Sequence, residues 1–335
     1  MAMRIAMLST PHVPTPPKGY GASETIAGKL AEGFVRRGHE VRLFGTDGCT
    51  EVVADRRVYP EHRVAATFDQ REFIHVGRAI RDVRDCDVVH NHCVVGGPAF
   101  AALCPRPFVT TLHYLSPMVA AFPEANYLTI SNRQRADAEH LNVVATIYNG
   151  VDVDEFPLSR DKDDYLLFLG RFHPNKGADI AIEVARRLGR RLIIAAPEPP
   201  DDKRAWFDEK IRPNLGGKID WIGPVESSKK ARLLGRATAT LAPIRWEEPF
   251  GLVLVESMAC GTPPIAFRRG ATPELVDNGV TGLLVDTLAD MLRAVERAGE
   301  INPEACRERV VRHFSLERML SDHEALYRRL VAAAA

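Results

Sequence analysis

Six of the 335 residues are cysteine, and no two of them form a C-x-x-C pair. Cys49, Cys86, Cys93, Cys104, Cys260 and Cys306 are scattered through a chain long enough to bury its core without staples, so free thiols in a reducing cytoplasm are expected. A bias of charge is also missing. Lys plus Arg and Asp plus Glu both number 44, which leaves no global field to recruit nucleic acid or acidic lipid. No apolar run approaches the roughly 20 residues of a membrane span. The N-terminal Met1-Ala2-Met3-Arg4 runs straight into a strand, without the apolar stretch or cleavage site of a leader. The expectation is a soluble, cytoplasmic protein, with peripheral membrane contact left open. With 45% hydrophobic and 26% charged residues, the chain has the composition of globular domains and room for two of them.

Short apolar runs alternate with amphipathic stretches, the pattern of α/β domains with parallel sheets. Arg4 to Ser9 reads as a strand, followed by a proline-rich loop from Pro11 to Lys18 and then Gly19-Tyr20-Gly21-Ala22-Ser23-Glu24. A helix begins at Ala22 or Ser23, carries Ile26, Leu30 and Phe34 on one face, and ends at Gly38 before the strand Val41 to Phe44. A glycine-bearing loop feeding a helix N-terminus presents N–H groups and a positive dipole end to an anion. It lacks the third glycine of a dinucleotide fingerprint, and its loop is too long and proline-rich for that tight turn, which argues against NAD.

A helix around Asp69 to Val83 follows, then strands at Val88 to His92, Phe108 to His113, Tyr127 to Ser131 and Val144 to Ile147. His90, His92 and His113 fall at strand C-termini, where α/β sheets place ligands, and lack the ligand spacing of tetrahedral zinc. Each is either a satisfied structural histidine or a site residue. Asp85-Cys86-Asp87 spells the D-x-D of metal-dependent transferases, but it leads into a buried strand, where aspartates are ordinary.

Polar Ser159 to Asp164 marks a break, dividing the chain into domains at 1–153 and 160–312, with a last helix over 315–331 expected to cross back to the first. The second half opens on the strand Tyr165 to Leu169, then the loop Gly170-Arg171-Phe172-His173-Pro174-Asn175-Lys176-Gly177, then a helix through Ile180, Ile182, Val184 and Leu188. Two cations in a loop that opens onto a helix N-terminus suit a phosphate by charge, dipole and N–H groups together, although solvated charges are the usual fate of loop Arg and Lys. Further strands are expected at Leu192 to Ala196, Ile219 to Val225 and Thr240 to Pro243, and helices near Leu288 to Ala298, Pro303 to Arg312 and Leu316 to Leu330.

After Pro243 the chain passes Arg245-Trp246-Glu247-Glu248-Pro249-Phe250-Gly251 into a short helix from about Leu252, which Gly261 can cap. Glu256 interrupts its apolar face, and a lone buried carboxylate costs several kcal/mol unless something hydrogen-bonds it. Either an arginine pairs with it, or it snorkels to solvent, or a ligand rich in hydroxyl donors supplies the partner.

The run Glu248-Pro-Phe-Gly-Leu-Val-Leu-Val-Glu256-Ser-Met-Ala-Cys-Gly-Thr-Pro263 resembles the Glu-x7-Glu signature of the retaining glycosyltransferases of family 4. Gly170-Arg171-x-x-Pro174-x-Lys176-Gly177 is similar to that family's diphosphate-binding pattern, and Asn149-Gly150-Val151-Asp152 to its entry into the interdomain linker. Pro16-Pro17-Lys18-Gly19-Tyr20-Gly21 resembles its N-terminal loop, except that Ala22 stands where the family has a second adjacent glycine.

The resemblance implies the GT-B architecture, an α/β fold of two Rossmann-like domains facing an interdomain cleft, with the donor on the second and the acceptor on the first. It implies that Glu248 contacts the donor sugar and Glu256 the ribose, with the N–H groups of Phe250, Gly251 and Leu252 facing the sugar or diphosphate. Arg171 and Lys176 would neutralise the leaving nucleoside diphosphate, in place of a metal or other cofactor. Gly21 and Ala22 would meet a phosphate or sugar, and His92 and His113 would line the acceptor and sugar side. The implied activity moves a hexose from a nucleotide diphosphate sugar, UDP-glucose first and UDP-sugars before GDP-sugars, to a hydroxyl of a small-molecule, glycan or lipid-linked acceptor. A sugar-nucleotide 2-epimerase and a non-catalytic nucleotide-sugar sensor are the alternatives.

Overall fold

The computed structural model describes residues 2–19, 21–60 and 67–334, so Met1 and Tyr20, both named above, lie outside it. The chain divides into two compact units, Met1–Gly150 together with Leu316–Ala335, and Val151–Ser315.

The first unit runs β1 (Arg4–Leu8), α1 (Ala22–Arg36), β2 (Glu40–Gly45), β3 (Asp55–Val58), α2 (Phe68–Ala79), β4 (Val88–Asn91), α3 (Gly97–Ala101), β5 (Phe108–Leu112), β6 (Tyr127–Thr129), α4 (Asn132–Asp137) and β7 (Val143–Thr146). Its strands form a parallel sheet in the order β3-β2-β1-β4-β5-β6-β7. Winding reverses between β1 and β4, and loops leaving the C-terminal ends of strands at such a point frame the ligand crevice of doubly wound folds. β4 and β5 are buried along their whole length. α1 turns Ile26, Leu30 and Phe34 inward, and Gly38, at φ 81°, ends its last turn.

Two sequence expectations shift here. α2 stops at Ala79 instead of Val83 because the next residues tighten into i→i+3 bonds, Arg81 N–H to Arg78 O and Asp82 N–H to Ala79 O. β3 went unread because Asp55-Arg56-Arg57-Val58 is a polar, half-exposed edge strand with no apolar face to signal it.

The second unit runs β8 (Tyr165–Leu169), α5 (Ala178–Leu188), β9 (Arg191–Ala195), α6 (Arg204–Lys210), β10 (Ile219–Trp221), α7 (Ser227–Arg236), β11 (Ala239–Ala242), α8 (Leu252–Ala259), β12 (Pro264–Phe267), α9 (Thr272–Leu275), β13 (Leu283–Val285), α10 (Leu288–Arg297) and α11 (Pro303–His313). Its sheet is parallel in the order β10-β9-β8-β11-β12-β13, and the winding reverses between β8 and β11.

The last helix, α12 (Leu316–Ala334), belongs to the first unit. Leu320 packs so closely on Gly33 of α1 that a Cβ at Gly33 would lie 2.5 Å from it, and the Tyr327 ring sits 5.4 Å from that of Phe34. Among the described residues, no helix is long and apolar enough to cross a membrane.

Candidate active site

In the second unit the loops after β8 and β11 leave neighbouring strands at the reversal point, and specific contacts stitch them together. The β8 loop makes a 3-10 turn at Pro174–Lys176 whose start is capped by His173, Nδ1 accepting from Asn175 N–H at 3.1 Å. Gly177 then takes a left-handed conformation at φ 76° to start α5, and a Cβ there would lie 2.2 Å from the Pro243 carbonyl oxygen. Only glycine lets the two loops close this far. Arg245 fastens them from the other side. Its backbone N–H donates to Asn175 O at 2.8 Å, and its guanidinium donates to Pro174 O at 3.1 Å and to the Asp179 carboxylate at 2.5 Å.

This closure brings Lys176 and Glu248 together across 72 residues of sequence, Nζ to Oε2 at 2.6 Å. The ammonium also lies 5.5 Å from the centre of the Trp246 ring, a cation–π distance. Glu248 is held from behind by Gly270-Ala271: Ala271 N–H donates to Glu248 O at 2.9 Å, and Gly270 N–H donates to the Glu247 carboxylate at 2.8 Å. Arg171 is exposed at the start of the β8 loop.

Phe250 is buried, and Gly251, at φ 105°, caps α8 without a side chain of its own, so the first turn beginning at Leu252 is uncapped by any side chain. Glu256, 6% exposed, lies one turn further along. Of the alternatives open for Glu256, the structure shows a protein cation, though of a different residue type than expected. Lys230 of α7 meets Glu256 Oε1 at 2.6 Å and lies 5.3 Å from the Phe156 ring, so a lysine, not an arginine, is its protein partner. Sequence reasoning had no means of choosing Lys230, which stands beside Lys229 on a helix of mixed polarity. The Arg245 clamp was equally hidden, since it depends on two loops about 70 residues apart.

In the first unit, His92 and His113 follow β4 and β5 directly and bond to each other, Nδ1 to Nε2 at 2.8 Å. His90 is buried behind them, with Nδ1 at 2.5 Å from the Tyr327 hydroxyl and Nε2 at 2.6 Å from that of Thr111. His323 of α12 completes the group, 5.3 Å from His90 between ring centres. Burial, then the neighbouring imidazoles, pushes His90 and His92 well below the ordinary histidine value, and His113 down to about 4. Burial likewise pushes His323 down to about 4, so all four rings are neutral near pH 7.

Gly21 caps α1, and a Cβ there would lie 2.9 Å from both Pro17 and the Glu24 carboxylate, so its own loop already requires the glycine; Ala22 is the first helical residue. Asp85 and Asp87 belong to the opposite end of the sheet: Asp85 pairs with Arg42 at 2.8 Å, and Asp87 accepts from Arg4 N–H at 2.7 Å.

Two doubly wound parallel sheets define the class, that of the GT-B glycosyltransferases. AviGT4, a glycosyltransferase involved in avilamycin A biosynthesis, is 27% identical and superposes with a TM-score of 0.76 over 98% of either chain. HepE of Anabaena, solved in complex with UDP-glucose, shares the fold at 19% identity and a TM-score of 0.73, over 97% of this chain and 99% of that one. The D-inositol 3-phosphate glycosyltransferase of Mycobacterium sp. strain KMS is 27% identical over 276 residues, 68% of this chain and 62% of the relative, so the match spans less than two thirds of that relative's length. Residues 23–155 match the family model described as Glycosyltransferase Family 4, and residues 152–308 that described as Glycosyl transferases group 1. Together the two models span residues 23–308, and the chain belongs to glycosyltransferase family 4.

Proposed function

We propose that the protein transfers a hexose from a nucleotide diphosphate sugar to an acceptor hydroxyl with retention of anomeric configuration and without a metal. The observation that carries this reading is the Lys176–Glu248 pair at the reversal point of the second sheet, with Glu256 eight residues further on. An ammonium has three N–H donors. Glu248 takes one, and the others serve the oxygens of the leaving phosphate together with Arg171, which replaces the charge that a divalent ion supplies in other transferases.

Glu248, fixed by Lys176 on one side and Gly270-Ala271 on the other, accepts hydrogen bonds from the hydroxyls of the sugar. Glu256 spends Oε1 on Lys230 and offers Oε2 to the ribose. The N–H groups of Phe250, Gly251 and Leu252 face the diphosphate at an uncapped helix start. No nucleophilic side chain is required. The bond from the anomeric carbon to the phosphate oxygen breaks, the acceptor oxygen bonds to the same carbon on the same face, and the departing phosphate oxygen takes the acceptor proton. In the first unit, His113 serves the sugar and acceptor, with Gly21 and Ala22 at the start of α1; His92, expected from the sequence to do the same, is buried with both ring nitrogens engaged and stands behind His113 instead.

UDP-glucose is the first donor to try, being the nucleotide sugar held by a protein of the same fold. A thermal-shift screen against UDP, GDP and ADP, followed by mass spectrometry with each matching sugar nucleotide and a panel of polyol phosphate, glycan and lipid-linked acceptors, identifies both substrates. Lys176→Ala should lower turnover by at least about a hundredfold, the scale of losing one charge-stabilising donor, while the melting temperature stays near that of the parent. Unchanged kinetics in that variant would remove the leaving-group role.

A further inference from the structure

Met7 closes a row of three side chains in the first unit, in which Met7 and His92 are buried and His113 is half-buried. Its thioether sulfur lies 3.2 Å from Nε2 of His92, whose Nδ1 lies 2.8 Å from Nε2 of His113. The three come from β1 and from the residues just past β4 and β5, strands adjacent in the sheet, so the row is set by the fold and not by a loop. A thioether sulfur carries lone pairs and no hydrogen, and can only accept. An unprotonated ring nitrogen facing it would set lone pair against lone pair. The single proton of neutral His92 therefore sits on Nε2, and its Nδ1 is an acceptor. His113 must donate to that acceptor from its own Nε2. Burial also keeps His113 neutral, so it too has one ring proton, and its Nδ1 is left bare. Among the described residues, no protein group is placed to pair with that nitrogen.

We propose that Met7 and His92 are positioning residues that lock His113 in its Nε2–H tautomer, so that the ring meets substrate as a hydrogen-bond acceptor. This rests on the reading of His113 as a site residue. It adds a selection rule: the group that docks on His113 is a hydroxyl, or another donor, and not a phosphate, carboxylate or carbonyl oxygen, which would face a bare lone pair. A sugar or polyol hydroxyl satisfies the rule.

The test uses full-length protein labelled with nitrogen-15 histidine at pH 7.5, with two-bond proton–nitrogen correlation spectra and the His113 signals assigned from their loss in His113→Gln. The expected spectrum has His113 Nε2 pyrrole-like and Nδ1 pyridine-like. Met7→Leu keeps the volume and removes the sulfur lone pairs. It should mix the His113 tautomers and lower kcat/KM roughly fivefold, the worth of one weakened hydrogen bond, with nucleotide affinity unchanged. A parent spectrum with Nδ1 protonated overturns the proposal without need of any variant, and so does a Met7→Leu spectrum identical to the parent's. If the tautomer is as assigned but His113→Gln turns over like the parent, what fails is the placing of His113 in the site, not the hydrogen-bonded row.

Discussion

Gly270 governs where Glu248 can stand, because a Cβ on it would lie 2.3 Å from both the N and the O of Glu248, backbone atoms that cannot swing aside. At φ 55° it also occupies the left-handed region, which costs a side-chain-bearing residue roughly 1–2 kcal/mol. Gly270→Ala should therefore do two things: lower stability by about that amount and displace Glu248 from Lys176. The displacement matters more, since a misplacement on the order of 1 Å can cost about a hundredfold in rate. Steady-state kinetics beside thermal melting separates the two effects, and a variant that melts early yet keeps its kcat/KM would show that Glu248 needs no such support. The role of Gly270 as a stop behind Glu248 depends on a backbone approach that no spacing in the sequence encodes.

α8 is the element on which the proposed donor contacts converge, and its far end is held by Arg307 of α11. The Arg307 guanidinium donates to Ala259 O at 2.9 Å, to Val153 O at 3.0 Å and to Phe156 O. A cation over the last carbonyls satisfies acceptors that have no partner within the helix and complements its dipole. Arg307→Met should cost about 2–3 kcal/mol, the scale of losing bonds from a charged donor, and should weaken donor binding, because Glu256 lies one turn before Ala259. A urea midpoint equal to the parent's would dismiss the cap. Elements of this kind were legible in proportion to their apolar regularity. Tyr165–Leu169 read as a buried strand, and Leu252–Ala259 as a helix behind a glycine, because an unbroken run and a terminator are local signals. The positions of Lys176, Glu248 and Glu256 were legible through the family's spacing. The side chains that hold them were not: Lys230, Arg245 and Arg307 are three of many surface-type cations, and only the closed fold decides which partner each one meets.

At the scale of the whole molecule, two dependencies are concentrated in the first unit. One is acidity. His113 and His323 are pushed down to about 4, each first by burial, while an unfolded histidine titrates near 6.5. Folding thus favours the neutral rings, and their contribution is complete above about pH 6.5 and drains away as pH falls toward 4. Amide exchange in β4 and β5 should speed up between pH 7.5 and 5, after correction for intrinsic rates, more than in β8 and β11; equal changes in the two sheets would contradict this. The other dependency is covalent order, since the first unit is completed by the end of the chain. Leu316, Met319, Leu320, Leu326 and Tyr327 of α12 are all buried. At about 1.5–3 kcal/mol for each large apolar side chain, as an upper bound, their loss is of the same size as the roughly 5–15 kcal/mol that holds a domain folded. Removing residues 316–334 should unfold the first unit, because Phe34 and Gly33 of α1 lose their cover and His90 loses the Tyr327 hydroxyl. The second unit keeps every residue of its own sheet and both loops of the Lys176–Glu248 pair, so a nucleoside diphosphate that stabilises the parent should still raise its melting temperature while the proposed glycosyl transfer is abolished. A truncated chain that still transfers sugar would mean that α12 is dispensable to the first unit, against the packing of Leu320 and Tyr327.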